Sequence, residues 1–170
     1  MRNALRLAAV VILTAVPALA ASAPQPAAAL VAAASARAEK SGKNVLVLFH
    51  ASWCRWCRRL EQFTVADDIK PALEASYELV WLDVQERGEK KALETPGADA
   101  LYARWGGPGG LPFYVVLAPG GKVLGDGAKI GYPGTPDEVT AFLDLVRGTA
   151  PRVQPADLEH MRAFLEPKQM

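Results

Sequence analysis

The sequence predicts an α/β domain in which a central mixed β-sheet is flanked by helices on both faces. Residues 45–49 and 79–84 are nearly continuous apolar runs of strand length, which is typical of strands covered on both faces. A third apolar run at 113–117 precedes Pro119-Gly120-Gly121, whose turn chemistry indicates an antiparallel partner at 123–130. Helical patterns separate and follow these runs, so the predicted order is β-α-β-α-β-β-α.

The first twenty residues have the pattern of a secretory signal peptide. Arg2 and Arg6 precede an apolar stretch at 7–16, and Ala18-Leu19-Ala20 supplies small residues for cleavage. An uncleaved membrane anchor is the alternative, but the apolar stretch is shorter than the roughly 20 residues that span a bilayer. The sequence therefore predicts cleavage near Ala20 and a mature protein that is periplasmic or secreted.

Removal of residues 1–20 leaves about 150 residues, enough for one domain with a sizeable core. We predict a tether at 21–29, a domain over 21–150 with its core at about 44–147, and a C-terminal tail or short helix at 151–170. The 19 basic and 18 acidic residues give a net charge of +1, so nucleic acid is not an expected partner. A monomer without a membrane span after cleavage is expected.

The helices are predicted from composition and from residues that favour helix starts. Thr135 can cap the last helix with Pro136 in its first turn, and Asp67 and Asp68 can cap a short helix near the middle of the chain. The charged segment 86–91 is predicted to be solvated. The predicted helices cover residues 30–40, the segment that begins after Cys54, 69–75, 98–104 and 136–146.

The only two cysteines follow the first apolar run and open a helical pattern. Their spacing places Cys57 one helical turn behind Cys54, close enough to form a disulfide or to share a metal. A purely structural disulfide is disfavoured because so short a loop removes little unfolded-state entropy. His50 could join both sulfurs in binding copper or zinc, although three ligands leave a structural zinc site incomplete. A packing role for His50 is the other interpretation.

The residues around this pair resemble the active site of thioredoxin-like proteins. The resemblance covers about residues 44–142 and rests on four segments in the family's order: Phe49-His50-Ala51-Ser52-Trp53-Cys54-Arg55-Trp56-Cys57, Leu82-Asp83-Val84, Tyr102-Ala103-Arg104-Trp105-Gly106 and Gly110-Leu111-Pro112-Phe113. It implies a thioredoxin fold and an exported bacterial thiol-disulfide oxidoreductase of the protein-disulfide reductase type. The Cys54–Cys57 dithiol would be the redox centre, with no other cofactor and no metal.

The predicted chemistry assigns different roles to the two cysteines. The helix N-terminus and Arg55 should stabilise a thiolate at Cys54, which would attack a partner's disulfide. Cys57 would then resolve the mixed disulfide. The expected partners are protein thiols or disulfides and a redox protein that recharges the pair.

Five residues are predicted to contact substrate. By resemblance Pro112 is a cis-proline facing the cysteines, and Leu111 offers its backbone to a substrate chain; a trans proline at a strand start is the alternative. Arg58 and Arg59 either form a solvated face or dock partners. The predicted substrate-binding residues are Trp53, Arg55, Trp56, Leu111 and Pro112.

One departure from the family concerns the proton on Cys57. Thioredoxin has a buried acid below its cysteine pair, and the matching position here is Leu48. Proton transfer must then use water, Glu61 or His50, or be slower. Two alternatives to an oxidoreductase stay open: a copper- or zinc-handling protein that uses His50 and both cysteines, and a non-enzymatic interaction domain with the same fold.

Overall fold

A four-stranded mixed sheet organises the protein in the computed structural model, which describes residues 24–166. The strands are β1 (Asn44–His50), β2 (Tyr77–Asp83), β3 (Phe113–Leu117) and β4 (Val123–Asp126). Their spatial order is β2-β1-β3-β4; β1 runs parallel to β2, and β3 runs antiparallel to both β1 and β4. The predicted mixed sheet is confirmed, whereas the predicted signal peptide at 1–20 lies outside the described residues.

The apolar sequence of β1 follows from its position between β2 and β3. Its inner residues are buried on both faces of the sheet. Val47 and Phe49 point into a first apolar cluster on one face, and Leu46 and Leu48 point into a second apolar cluster on the other face. A strand covered on both sides has no polar face, which explains a continuous apolar run instead of an alternating one. Strand β4, in contrast, lies at the sheet edge, where Val123 and Leu124 are exposed.

Helices cover both faces of the sheet, as predicted. The face lined by Val47 and Phe49 carries α1 (Ala27–Ser41) and α4 (Ala98–Arg104), and the face lined by Leu46 and Leu48 carries the other helices, including the one that follows the cysteines. The helices are α1 (Ala27–Ser41), α2 (Arg55–Val65), α3 (Lys70–Ser76), α4 (Ala98–Arg104), α5 (Pro136–Thr149) and α6 (Pro155–Leu165), with a 3₁₀ turn at Gly88–Leu93. No helix within residues 24–166 has the length and apolarity needed to cross a membrane.

Helix starts agree only partly with the predictions. Thr135 caps α5 through a capping box with Glu138, as its sequence indicated. The predicted caps of α3 are wrong: Ile69 occupies the N-cap without a side-chain bond, and Asp67 and Asp68 lie in the preceding turn. The burial of Ile69 in the second cluster outweighs the capping preference of the aspartates.

The predicted tether at 21–29 is wrong for its last three residues, because α1 already begins at Ala27. Ala27, Ala34 and Ala38 are fully buried, and such small side chains let the helix lie close to the sheet. The chain after residue 150 forms α6, whose buried Leu158 extends the second cluster. A helix that packs on the domain therefore replaces the loose-tail alternative there.

The fourth strand is shorter than predicted. The sequence suggested residues 123–130, but β4 ends at Asp126. Gly127 N–H donates to the Tyr114 carbonyl oxygen at 2.9 Å, and a turn over 127–130 follows. A Cβ at Gly127 would overlap the Tyr114 ring, so the close approach of the chain to that ring requires glycine here.

Candidate active site

The cysteine pair lies at the junction between β1 and α2. Cys54 N–H donates to the Ala51 carbonyl oxygen at 3.0 Å, which forms the tight turn after the strand. Cys54 is the N-cap residue of α2, and its Sγ accepts a hydrogen bond from Cys57 N–H at 3.1 Å. The two residues form a disulfide with their Cα atoms 5.3 Å apart. The predicted proximity of the two sulfurs is therefore confirmed. Of the two alternatives, a disulfide or a shared metal, the structure shows the disulfide.

The two cysteines differ in exposure, although less than we expected. Cys57 is completely buried and Cys54 is 4% exposed, whereas the sequence suggested an exposed first cysteine. Ala51 and both cysteines form a small apolar cluster against which Leu111 packs, and this cover explains the difference. Cys54 is still the only one of the two that solvent reaches.

The Leu111-Pro112 segment forms the wall opposite the pair, and its peptide bond is cis. Tyr102 holds the glycine run before it, because its hydroxyl donates to the Gly110 carbonyl oxygen and accepts from Gly109 N–H, both at 2.9 Å. A Cβ at Gly107 would overlap the same tyrosine ring. A side chain of α4 therefore positions the glycine run that precedes Leu111.

The Glu86 side chain stabilises the turn before Cys54 by hydrogen bonds. Its carboxylate accepts from the Ser52 N–H at 2.5 Å and from the Ser52 Oγ–H at 2.8 Å, and its own N–H donates to Glu94 Oε1 at 2.8 Å. Burial tends to raise the pKa of Glu86, but these two bonds from Ser52 and the charge of Lys90 hold it below its ordinary value. The prediction of a solvated 86–91 segment is wrong for Glu86, which is 5% exposed.

Trp53 is held by the same loop. Its indole N–H donates to the Gln85 carbonyl oxygen at 2.7 Å, and the Arg87 guanidinium lies over its ring at 4.0 Å. Gln85 has a φ of 55°, an uncommon value outside glycine, and its carbonyl oxygen accepts from Trp53 while the carboxylate of the next residue, Glu86, accepts from Ser52. The loop after β2 therefore positions both residues that precede Cys54.

Trp56, between the cysteines, stacks on Tyr132 with ring centroids 5.2 Å apart. The Arg55 guanidinium lies 4.8 Å from the Trp56 ring centre, and Arg59 lies 5.7 Å from the Tyr132 ring centre. We call these four residues the arginine–aromatic stack. Trp56 nevertheless keeps 42% of its surface exposed beside Cys54.

His50 is held between two carboxylates. Its Nδ1 lies 2.7 Å from Glu61 Oε1 and its Nε2 lies 3.2 Å from Asp83 Oδ1, while Trp81 packs against the ring. Both ring nitrogens are therefore engaged away from the cysteine sulfurs. Within residues 24–166, no three metal-binding side chains come together in a way that could hold an ion.

Leu48, at the position of the family's buried acid, is 1% exposed in the second apolar cluster. Among the described residues, its neighbours in the cluster are apolar or aromatic, and none is an acid. Glu61, one of the groups considered for proton transfer, is 41% exposed in its side chain and bonded to His50. Proton exchange through Glu61 and His50 stays a prediction.

We expect Cys54 to alkylate at least tenfold faster than Cys57 in the reduced protein near neutral pH. The thiolate is the reactive species, and the N-terminus of α2 favours a thiolate at the N-cap while Cys57 is fully covered. Limited labelling followed by peptide mass spectrometry measures both rates. Equal rates, or faster labelling of Cys57, would reverse the assignment of roles.

Sequence reasoning missed several residues that shape this site. Glu86 lies in the segment 86–91 that was predicted to be solvated, and neither Gln85 nor Tyr132 belongs to a motif in the sequence. Asp83 was noticed only as part of a resemblance, yet it contacts His50. The positive φ of Gln85 has no sequence signal, and the only signal for Glu86 is its position three residues beyond the end of a buried strand.

Comparison with known proteins agrees with this architecture. Residues 27–119, more than half of the chain, match the family model described as thioredoxin-like. A disulphide isomerase from Xylella fastidiosa Temecula1 has 21% identity and a TM-score of 0.52, over 89% of this chain and 97% of that one. This similarity supports the fold. No curated protein matches.

Two further solved structures are similar at lower TM-scores. A DsbH oxidoreductase has 20% identity and a TM-score of 0.49, over 82% of this chain and 95% of that one. The C-terminal domain of Neisseria meningitidis DsbD in the oxidised form has 24% identity and a TM-score of 0.44, over 62% and 84%. The family model and the thioredoxin fold together show that the chain belongs to the thioredoxin-like family.

Proposed function

We propose that this protein is a thiol-disulfide oxidoreductase of the bacterial cell envelope that exchanges disulfides with protein substrates. The observation that carries the proposal is the disulfide at the N-terminus of α2, with Cys54 at the N-cap and Cys57 buried behind it. This arrangement stabilises a thiolate on the more accessible cysteine and keeps a second thiol within reach of it. The redox-active disulfide is the only cofactor that this chemistry needs.

In the reducing direction, the Cys54 thiolate attacks one sulfur of a substrate disulfide and forms a mixed disulfide with it. The other substrate sulfur leaves and takes up a proton. Deprotonated Cys57 then attacks Cys54 Sγ, which forms the Cys54–Cys57 disulfide and releases the second substrate thiol. Two electrons pass from the protein to the substrate, and a redox partner must return them; the oxidising direction reverses these steps.

The substrate chain is proposed to lie between Leu111-Pro112 and the two exposed indoles. Leu111 packs against the cysteine cluster, and its backbone can pair with an extended peptide. Trp53 and Trp56 are 40% and 42% exposed, so each offers an aromatic surface to a partner. Arg55 contributes positive charge next to Cys54.

The envelope location rests on the N-terminal sequence pattern. Arg2, Arg6, the apolar stretch at 7–16 and the small residues ending at Ala20 together support export and cleavage. An exported dithiol would work in an oxidising compartment, where protein disulfides are abundant. The mature chain would therefore meet both substrates and recharging partners there.

Reduction of insulin by dithiothreitol, followed by turbidity, tests the activity. We expect the wild-type protein to accelerate the reaction well above dithiothreitol alone and Cys54→Ser to remove the acceleration. A wild-type protein that gives no acceleration would favour the interaction-domain alternative. The metal content of the purified protein separates the remaining alternative, because a copper or zinc carrier would retain about one ion per chain that depends on Cys54.

We expect the pair to be more oxidising than thioredoxin, whose potential is about −270 mV. Arg55 and the start of α2 stabilise the Cys54 thiolate and hence the reduced form. The potential should be some tens of millivolts less negative, where roughly 30 mV corresponds to about 1.4 kcal/mol. Arg55→Gln should move it back toward thioredoxin's value, as equilibration in glutathione buffers measures. If the Arg55→Gln variant has the same reduction potential as the wild-type protein, a group other than Arg55 sets the potential of the cysteine pair.

A further inference from the structure

Positive charge is concentrated around the cysteine pair in a chain that is almost neutral. The whole protein has 19 basic and 18 acidic residues, yet four exposed arginines surround the disulfide. Arg58 donates to the Ser52 carbonyl oxygen at 3.0 Å. Within the part of the chain that the structure describes, none of the four forms an ion pair with a carboxylate: Arg55, Arg58, Arg59 and Arg87.

The acidic residues near the site are occupied elsewhere. Glu86 is buried under Ser52, and Glu61 bonds to His50. Asp67 and Asp68 line a second groove together with Arg59, but neither forms an ion pair with it. Within residues 24–166, none of these carboxylates forms an ion pair with one of the four arginines, so a substrate carboxylate would meet guanidinium groups that no ion pair occupies.

Aromatic rings hold these cations in fixed positions. Arg87 lies over Trp53 on one side of Cys54, and Arg55 lies over Trp56 on the other. In the arginine–aromatic stack, Trp56 stacks on Tyr132, and Arg59 lies over the Tyr132 ring. The positively charged surface therefore extends as far as Arg59. Guanidinium groups held on rings lose little further side-chain entropy when a carboxylate binds them, so they suit the recognition of an anion.

A groove continues from this surface. It has a volume of about 400 Å³ and runs past Trp56 and Arg59 between Tyr132 and Phe164 of α6. Glu166 lies at its α6 end and pairs with Arg162 at 3.7 Å, so its charge is partly balanced. Trp56, which separates the two cysteines in sequence, lines this groove. The groove can therefore hold the part of a substrate chain that leads away from its reacting cysteine.

We propose that the protein selects substrates in which acidic residues flank the reacting cysteine, and that these residues lie along Arg55, Arg59 and Arg87. This inference rests on the proposed oxidoreductase function. Arg55 and Arg59 are four residues apart on α2, or about 6 Å along the helix axis. Two residues of an extended peptide cover nearly the same distance, at roughly 3.3 Å each. Acidic residues at alternate positions of the substrate chain therefore match the spacing of the arginines.

Three peptides test the proposal, each with one cysteine in a mixed disulfide with uncharged 2-mercaptoethanol. They differ only in two flanking residues at alternate positions, which are glutamate, glutamine or lysine. The reduced protein converts each peptide to free peptide thiol and 2-mercaptoethanol, and its own dithiol becomes the Cys54–Cys57 disulfide. Each second-order rate constant is divided by that for bis(2-hydroxyethyl) disulfide, which removes changes in the intrinsic reactivity of Cys54.

We expect the glutamate peptide to react about tenfold faster than the glutamine peptide, and the lysine peptide to react more slowly than both. The preference should largely disappear when the ionic strength rises from about 0.1 M to about 1 M, because the Debye length then falls from roughly 10 Å to roughly 3 Å. The double variant Arg59→Gln/Arg87→Gln should lose most of the preference. Arg104→Gln/Lys122→Gln, which removes the same charge from exposed positions outside the site, should keep it.

The outcomes separate this inference from the function on which it rests. A protein that reacts with none of the disulfides contradicts the proposed function itself. Equal rates for the three peptides, together with turnover of bis(2-hydroxyethyl) disulfide, would overturn the acidic preference alone. Equal loss of the preference in both double variants would attribute it to net charge and would also overturn the proposed role of the arginines.

Discussion

Cys57→Ser should accumulate a stable mixed disulfide between Cys54 and its protein substrates, whereas Cys54→Ser should accumulate none. Cys57 is fully buried behind Cys54, and its backbone N–H donates to Cys54 Sγ at 3.1 Å, so it is placed to attack that sulfur once a substrate is attached. Without the resolving thiol, the second exchange step cannot occur. Turnover of protein disulfides should fall by roughly a thousandfold or more in either single variant.

Non-reducing gels of the native host, expressing each variant with an affinity tag, measure this difference. Bands of higher mass that collapse on reduction are expected for Cys57→Ser, and mass spectrometry of these bands identifies the partners. Cys54→Ser/Cys57→Ser is the matched control, because it removes both cysteines of the chain and so has no thiol. Similar adducts with Cys54→Ser would mean that Cys57 is the attacking residue.

The parts of the fold that local chemistry determines were predicted well. Strand β3 and helix α4 have their predicted bounds, because Pro112 and Pro119 delimit the former and Gly106 follows the latter closely. The cysteine turn was predicted correctly for the same reason, since strand, turn and helix start are adjacent in sequence. Such elements depend on neighbours along the chain.

The rest of the site depends on contacts between residues that are distant in sequence. Glu86 is 34 residues from Ser52, and nothing in a charged segment indicates that one member turns inward to accept two hydrogen bonds. Tyr132 stacks on Trp56 only because the turn after β4 and helix α2 meet in space. Composition correctly suggested solvation for Arg87, Gly88, Glu89 and Lys90, which are exposed, and failed at the one position that tertiary structure buries.

Glu86→Gln should destabilise the protein by roughly 1–3 kcal/mol near neutral pH and lower kcat/KM for protein disulfides by about tenfold. A glutamine keeps the size of the side chain, but only one of its two terminal atoms can accept a hydrogen bond, so one Ser52 donor loses its partner at the buried side chain of residue 86. The turn that carries Trp53 and Cys54 then loosens. Glu89→Gln, an exposed change in the same loop, should stay within about 0.5 kcal/mol of wild type.

The stability difference between wild type and Glu86→Gln should depend on pH in a definite direction. Because hydrogen bonds hold the pKa of Glu86 below its ordinary value of 4.5, its contribution to the free energy of unfolding is complete above that value. It is lost as the pH falls from 4.5 through the lowered pKa of the folded state, since a protonated carboxyl no longer accepts both bonds. Urea unfolding of both proteins between pH 7 and pH 3 measures the difference. A constant difference across that range, or one that grows on acidification, would show that the ionised carboxylate does not hold the turn before Cys54.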